Sequence, residues 1–121
     1  MLNNVLLEEN EAYTGGGIGF LSGDPPYPIL NNVTIIKNHA FNGGGIKMGD
    51  QIPDFTNIKI IDNSATENGG GIYIRSASPQ LINSTIYGNN ASIDGGAIFI
   101  YHNNSGYPSQ TVVANSNILY N

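Results

Sequence analysis

The chain contains no cysteine. That excludes disulfides, thiolate metal sites and a cysteine nucleophile. Lysine and arginine together number only four against nine acidic residues, giving a formal charge of −5. Affinity for nucleic acid rests on many Lys and Arg contacts to phosphate, and attraction to anionic membranes needs the same basic excess. Neither partner is expected. No apolar run approaches the roughly 20 residues of a membrane helix, so direct membrane insertion is not expected either. The segment Met1 to Glu9 lacks both a basic stretch and a long apolar stretch and does not read as a signal peptide. Charged residues make up only 11% of the chain. The polar positions are filled mainly by Asn, Gly, Ser and Thr, which indicates many tight turns between short strands.

What the sequence does contain is a repeat. Gly-Gly-Gly-Ile occurs at Gly15 to Ile18, Gly43 to Ile46 and Gly69 to Ile72, with Gly95-Gly96-Ala97-Ile98 as a fourth copy, at intervals of 28, 26 and 26 residues. A second landmark, Asn-x-x-Ile/Leu-x-x-Asn, runs through Asn4/Asn10, Asn32/Asn38, Asn57/Asn63, Asn83/Asn89 and Asn115/Asn121. Ala follows it at Ala12, Ala40, Ala65 and Ala91, and a Pro precedes it at Pro28, Pro53, Pro79 and Pro108. These landmarks recur in the same order, and they divide the chain into coils at approximately 4–31, 32–56, 57–82 and 83–114, with a partial coil at 115–121.

Each coil reads as three short strands. After the glycines come Ile18-Gly19-Phe20-Leu21, Ile46-Lys47-Met48-Gly49, Ile72-Tyr73-Ile74-Arg75 and Ile98-Phe99-Ile100-Tyr101. Their first and third residues are apolar, a period-2 pattern with one buried face. Leu30, Phe55, Leu81 and Val113 follow the Pro, and Val33/Ile35, Ile58/Ile60, Ser84/Ile86 and Ser116/Ile118 supply a further alternating run. One coil cannot bury its apolar face alone. Stacked coils pair their strands in parallel at about 4.8 Å and enclose one core. The fold expected is therefore all-β: a right-handed parallel β-helix, or solenoid, of about four to five coils. A β-sandwich would show no such columns, and the Leu-x-x-Leu-x-Leu pattern of leucine-rich repeats is missing. Asn tolerates the left-handed backbone of a sharp bend, and stacked Asn side chains can bond from coil to coil. Asn10, Asn32, Asn38, Asn57, Asn63, Asn83, Asn89 and Asn115 are the expected structural ladder.

Gly95-Gly96-Ala97-Ile98, with Ile-x-x-Asn upstream, resembles the paired Gly-Gly-Ala-aliphatic and Phe-x-x-Asn motifs of chlamydial polymorphic outer-membrane proteins. More broadly, the chain is similar to the right-handed β-helix repeat domains of bacterial surface proteins and adhesins. The resemblance implies a secreted or cell-surface parent, extracellular in location. The two ends fall in nearly the same phase of the repeat with no visible cap. A segment of a longer solenoid is the expectation, as is end-to-end self-association through open strand edges.

Register-aligned positions are spatial neighbours, so chemistry should appear as columns. Asp50, Ser76 and His102 share one, but Ser stands between Asp and His where the triad mechanism needs His in the middle. Glu9, Lys37 and Asp62 read as an exposed ion-pair column, and Thr14, Asn42, Asn68 and Asp94 as turn-capping acceptors. Asp24, Asp50, Asp54, Asp62 and Asp94 are scattered, unlike the paired carboxylates of glycoside hydrolysis or a calcium site. His39 reads as a surface turn residue. The sequon-like triplets beginning at Asn32, Asn83, Asn90 and Asn103 are repeat or loop features. No catalytic, metal or cofactor site is expected.

One set of outward residues stands apart. Tyr73, Arg75, Phe99 and Tyr101 project from adjacent first strands and form a candidate ligand-binding face for a glycan or a partner protein. The acidic surroundings favour a neutral or weakly charged ligand. The leading function is a non-enzymatic, adhesin-like scaffold. The alternative is the non-catalytic portion of a carbohydrate-active β-helix enzyme, a polysaccharide lyase or glycoside hydrolase.

Overall fold

A computed structural model describes residues 1–20, 27–50, 52–102 and 111–121. Leu21, Asp24, Asn103 and Pro108 lie outside them. The first coil carries β1 (Leu2–Glu8), β2 (Glu11–Thr14) and β3 (Ile18–Phe20), and the second carries β4 (Ile29–Ile36), β5 (His39–Asn42) and β6 (Ile46–Gly49). The third holds β7 (Asp54–Thr56), β8 (Lys59–Ile61), β9 (Ser64–Ala65) and β10 (Ile72–Arg75). The fourth holds β11 (Gln80–Ile82), β12 (Thr85–Tyr87), β13 (Asn90–Ala91) and β14 (Ile98–Tyr101), followed by β15 (Val112–Ala114) and β16 (Asn117–Leu119). Among the described residues there is no helix, so none is long and apolar enough to cross a membrane.

The strands form three parallel sheets that run along the stack. One contains β1, β4, β7, β8, β11, β12, β15 and β16; the others have the orders β14-β10-β6-β3 and β13-β9-β5-β2. All pairings are parallel and keep the repeat columns in register, for example Ile46↔Ile72↔Ile98 and Ile35↔Ile60↔Ile86. The architecture is the right-handed parallel β-helix that the repeat predicts. In two respects the local structure differs. The sheet β13-β9-β5-β2 forms at the Ala landmarks, outside the three expected runs. Leu30 and Ile35 belong to one unbroken strand, β4, whereas the later coils split the same side into two.

Each sheet turns its alternate residues inward. Leu30, Val33, Ile35, Ile46, Met48, Phe55, Ile58, Ile60, Ile72, Ile74, Leu81 and Ile86 are at most 1% exposed. Burying one such side chain contributes roughly 1.5–3 kcal/mol. Ser84 stands in the same inward row as Val33 and Ile58. Its hydroxyl is satisfied by donating to the Ile82 carbonyl at 3.0 Å, and its backbone N–H donates to Ser116 Oγ at 2.9 Å. The core thins toward both ends, where Leu2, Ile100 and Ile118 are 37%, 46% and 42% exposed.

The eight expected ladder asparagines divide into two groups. Asn10, Asn38, Asn63 and Asn89 form a continuous ladder that ends on Asn121. In each step the backbone N–H and Nδ2 of one Asn donate to Oδ1 of the next, at 2.9–3.0 Å. The Nδ2 groups of Asn38, Asn63 and Asn89 also donate to the carbonyls of Leu7, Ile35 and Ile60. The three central members are buried. Asn32, Asn57, Asn83 and Asn115 are exposed and take φ of 54°, 55°, 51° and 49°; in this column Asn32 Nδ2 donates to Asn4 Oδ1 at 2.5 Å and Asn57 Nδ2 to Asn31 Oδ1 at 3.5 Å. They are left-handed corner residues, the role Asn fills at low steric cost. The second corner of the motif is not made by its second Asn. The residue before it is left-handed: Glu9, Lys37, Asp62, Gly88 and Tyr120.

The glycine runs permit the closest approach of coils. Gly44 N–H donates to Gly69 O at 3.0 Å. A β-carbon on Gly44 would press on Ser64 O and lie 2.6 Å from Gly70 O. Only glycine fits between these backbones.

Candidate binding face

Alternation along β6 and β10 sends Ile46, Met48, Ile72 and Ile74 into the core and leaves the residues between them outside. Two outward columns result. Gly19, Lys47, Tyr73 and Phe99 make one; Gly49, Arg75 and Tyr101 make the other. All four ligand-face residues expected from the sequence therefore lie together, on β10 and β14.

Their rings are already partly used. Tyr73 and Phe99 stack at 5.2 Å between centroids, tilted by 31°. Lys47 Nζ lies 5.5 Å from the Tyr73 ring centre, a cation–π contact. Lys47 comes from the preceding coil and Phe99 from the following one, so Tyr73 is held between them. The stacking of Tyr73 on Phe99 is the contact that their places on adjacent coils lead one to expect. Burial in this stack pushes the Tyr73 phenol above its ordinary range, Arg75 pulling it partly back. The phenol is a neutral donor at physiological pH. Tyr101, 45% exposed, is the more open ring.

Next to the stack lies a recess of about 150 Å³ that the sequence reading missed. Gly19 and Gly49 create it, because they stand in columns that carry Tyr73, Phe99, Arg75 and Tyr101 further along. Phe20 and Met48, from the inward column, border it, and Thr14, Lys47, Asp50 and Arg75 supply polar groups. The available signal was a pair of glycines at outward strand positions, where a turn does not need them. The recess is far smaller than the roughly 300–1,000 Å³ of a pocket that encloses a drug-sized ligand. It suits one substituent of a longer molecule.

The charges around it are distinctive. Lys37 meets Glu9 at 3.7 Å and Glu8 at 4.0 Å, so the expected ion-pair column exists on the Glu9 side. Among the described residues, neither Lys47 nor Arg75 has a carboxylate oxygen within 4.0 Å.

The remaining columns are structural in geometry. Asp50 and Ser76 adopt left-handed corners with φ of 47° and 52°, and their N–H groups bond to Arg75 O and Tyr101 O. His39 lies on a sheet rather than in a turn. Its Nδ1 is 2.8 Å from Ser64 Oγ and its Nε2 3.3 Å from Thr66 Oγ1, both on the next coil. Asn42 Oδ1 accepts from Asn68 N–H at 3.2 Å, the capping role expected of that column. Tyr13 and Phe41 form a second outward stack at 5.3 Å and 6°, which adjacent-coil register could have revealed. No group of three or more His, Asp or Glu among the described residues is placed to hold a metal ion.

The chain belongs to the family described as the right handed beta helix region, which matches residues 2–121. No curated protein matches the chain, and no solved structure does.

Proposed function

We propose that this chain is a non-catalytic β-helix scaffold of a secreted or cell-surface, adhesin-type protein, and that the outer face of β3, β6, β10 and β14 binds carbohydrate. The fold alone does not select a function. The observation that carries the reading is the glycine-made recess, bordered by Thr14, Lys47, Asp50 and Arg75 and continued by the Tyr73–Phe99 stack and Tyr101. A few fixed polar groups beside ring edges and an apolar lining suit a sugar, which carries hydroxyls and C–H surfaces together. So small a contact gives weak affinity, around ~1 mM for one short glycan, made useful by repetition along a longer solenoid.

Glycan-array binding of the wild-type chain and Gly19→Leu tests the reading. A β-carbon at Gly19 meets only Thr14 O, at an ordinary 3.7 Å, so the variant fills the recess without disturbing the fold. The expected result is loss of glycan signal with an unchanged melting temperature. Retained binding in Gly19→Leu, or no binding by the wild type to any glycan, overturns the assignment.

A further inference from the structure

We infer that Ser64 is a nucleophile activated by His39, and that it accepts the acyl group of a small aryl ester. The site lies on the sheet of β2, β5, β9 and β13, apart from the sheet that carries the recess. One outward column there reads Glu11, His39, Ser64 and Asn90 on four successive coils. In the column of Asp50, Ser76 and His102 the order defeats a triad. Here His39 stands between a carboxylate and a hydroxyl, the order that proton transfer needs. His39 Nδ1 lies 2.8 Å from Ser64 Oγ, and Nε2 lies 3.3 Å from Thr66 Oγ1. The shorter contact suits an O–H donor and the longer one an N–H donor. Ser64 therefore donates to Nδ1, and Nε2 donates to Thr66, which orients the base with its acceptor nitrogen on the nucleophile.

Glu11 faces His39 from the preceding coil and makes no ion pair with it inside 4.0 Å. It stands as a counter-charge for the imidazolium formed during transfer. Asn90 faces Ser64 from the following coil, and its amide can donate to an oxyanion formed there. Tyr13 and Phe41 stack in the next outward column, with Phe41 two residues from His39 on the same face of β5. That flat wall suits an aromatic leaving group. His39 is exposed, so water screens the site and the oxyanion gains little. Only an ester with a good leaving group, such as a phenol, reacts. Ser64 Oγ bonds to the carbonyl carbon as His39 Nδ1 takes the hydroxyl proton. The tetrahedral adduct expels the phenolate, which receives that proton from His39. The products are an acyl-serine and a phenol. The acyl-serine is an alkyl ester with a poor leaving group and persists. Each chain is thus acylated once, and the scaffold turns nothing over.

The test is incubation of the full chain with p-nitrophenyl acetate at about pH 8, where free imidazole is neutral, followed by peptide mapping. The expected result is a fast release of nitrophenolate matched by an acetyl group on Ser64. Ser64→Ala should remove the fast phase. His39→Gln should slow acetylation of Ser64 about hundredfold, and Asn90→Ala about threefold to tenfold. Ser92, an exposed serine of the next coil whose hydroxyl does not bond His39, is the reference within the same molecule and should stay unmodified. These side chains lie on the outer face of the sheet, so unchanged melting temperatures serve as the folding control. Wild-type acetylation in folded His39→Gln, equal labelling of Ser64 and Ser92, or no acetyl on Ser64 overturns the inference. Continuous nitrophenolate release that needs Ser64 overturns the single acylation, and the non-catalytic reading with it.

Discussion

At the centre of the ladder, Asn63 is 1% exposed and accepts from both Asn38 N–H and Asn38 Nδ2, while its own N–H and Nδ2 donate to Asn89 Oδ1. Removing this amide strands buried partners on two coils. Asn63→Ala should lower stability by about 1–3 kcal/mol. The outward Thr85→Ala should cost under ~0.5 kcal/mol. Asn57 occupies the other column, with φ of 55°. Its contribution is mainly conformational, since its side-chain bond to Asn31 Oδ1 is exposed and 3.5 Å long, so Asn57→Ala should cost about 1–2 kcal/mol and Asn57→Gly should restore most of it. Glycine at 63 should rescue nothing. Denaturant melts of the four variants check this split, and rescue of both sites by glycine would contradict it. The sequence marks both columns equally, because Asn suits a left-handed corner and an amide ladder alike. Lys37 and Asp62 gave no such mark, since their φ of 54° and 52° is imposed by the stacking of coils and not by residue type.

Between neighbouring strands, identical residue types meet opposite fates. Gly44 faces two backbone oxygens, so Gly44→Ala forces coils apart and should cost about 1–3 kcal/mol or more. Gly19 faces open space on the outer surface, and Gly19→Ala should stay within about 0.5 kcal/mol of wild type. Thermal unfolding of the pair separates packing glycines from the recess glycine. Both lie near a Gly run in the sequence, and only the pleat distinguishes inward from outward. That pleat was legible, as Ile46, Met48, Ile72 and Ile74 show, and it placed Tyr73, Arg75, Phe99 and Tyr101 on one face. What the rings do with each other was not legible, because stacking depends on side-chain rotation that a column cannot specify. The Lys47–Tyr73–Phe99 stack makes Phe99→Ala a stability variant, worth about 0.5–1.5 kcal/mol beyond its lost burial.

Across the whole molecule, burial is concentrated in the middle coils. Leu2, Val113 and Ile118 at the two ends are 37–43% exposed, whereas their column mates Leu30, Leu81 and Ile86 are at most 1% exposed. As a free polypeptide the 121-residue chain carries unpaired strand edges on both end coils, and such edges template pairing with another copy. Sedimentation should show association that grows with concentration; a clean monomer at high concentration would contradict this. The repeat made the fold readable because every landmark recurs in order, while the recess arises from two places where an outward column departs from its neighbours. A rigid interior ladder carries the proposed binding recess on one outer sheet. Amide NMR of the labelled chain during titration with the glycan it binds on the array tests this arrangement most directly. The predicted result is shift changes centred on Gly19, Lys47, Gly49, Asp50 and Arg75, with the amides of Asn38, Asn63 and Asn89 unmoved and slow to exchange. Shifts centred on β4, β8 and β12, or spread through the ladder, would contradict it.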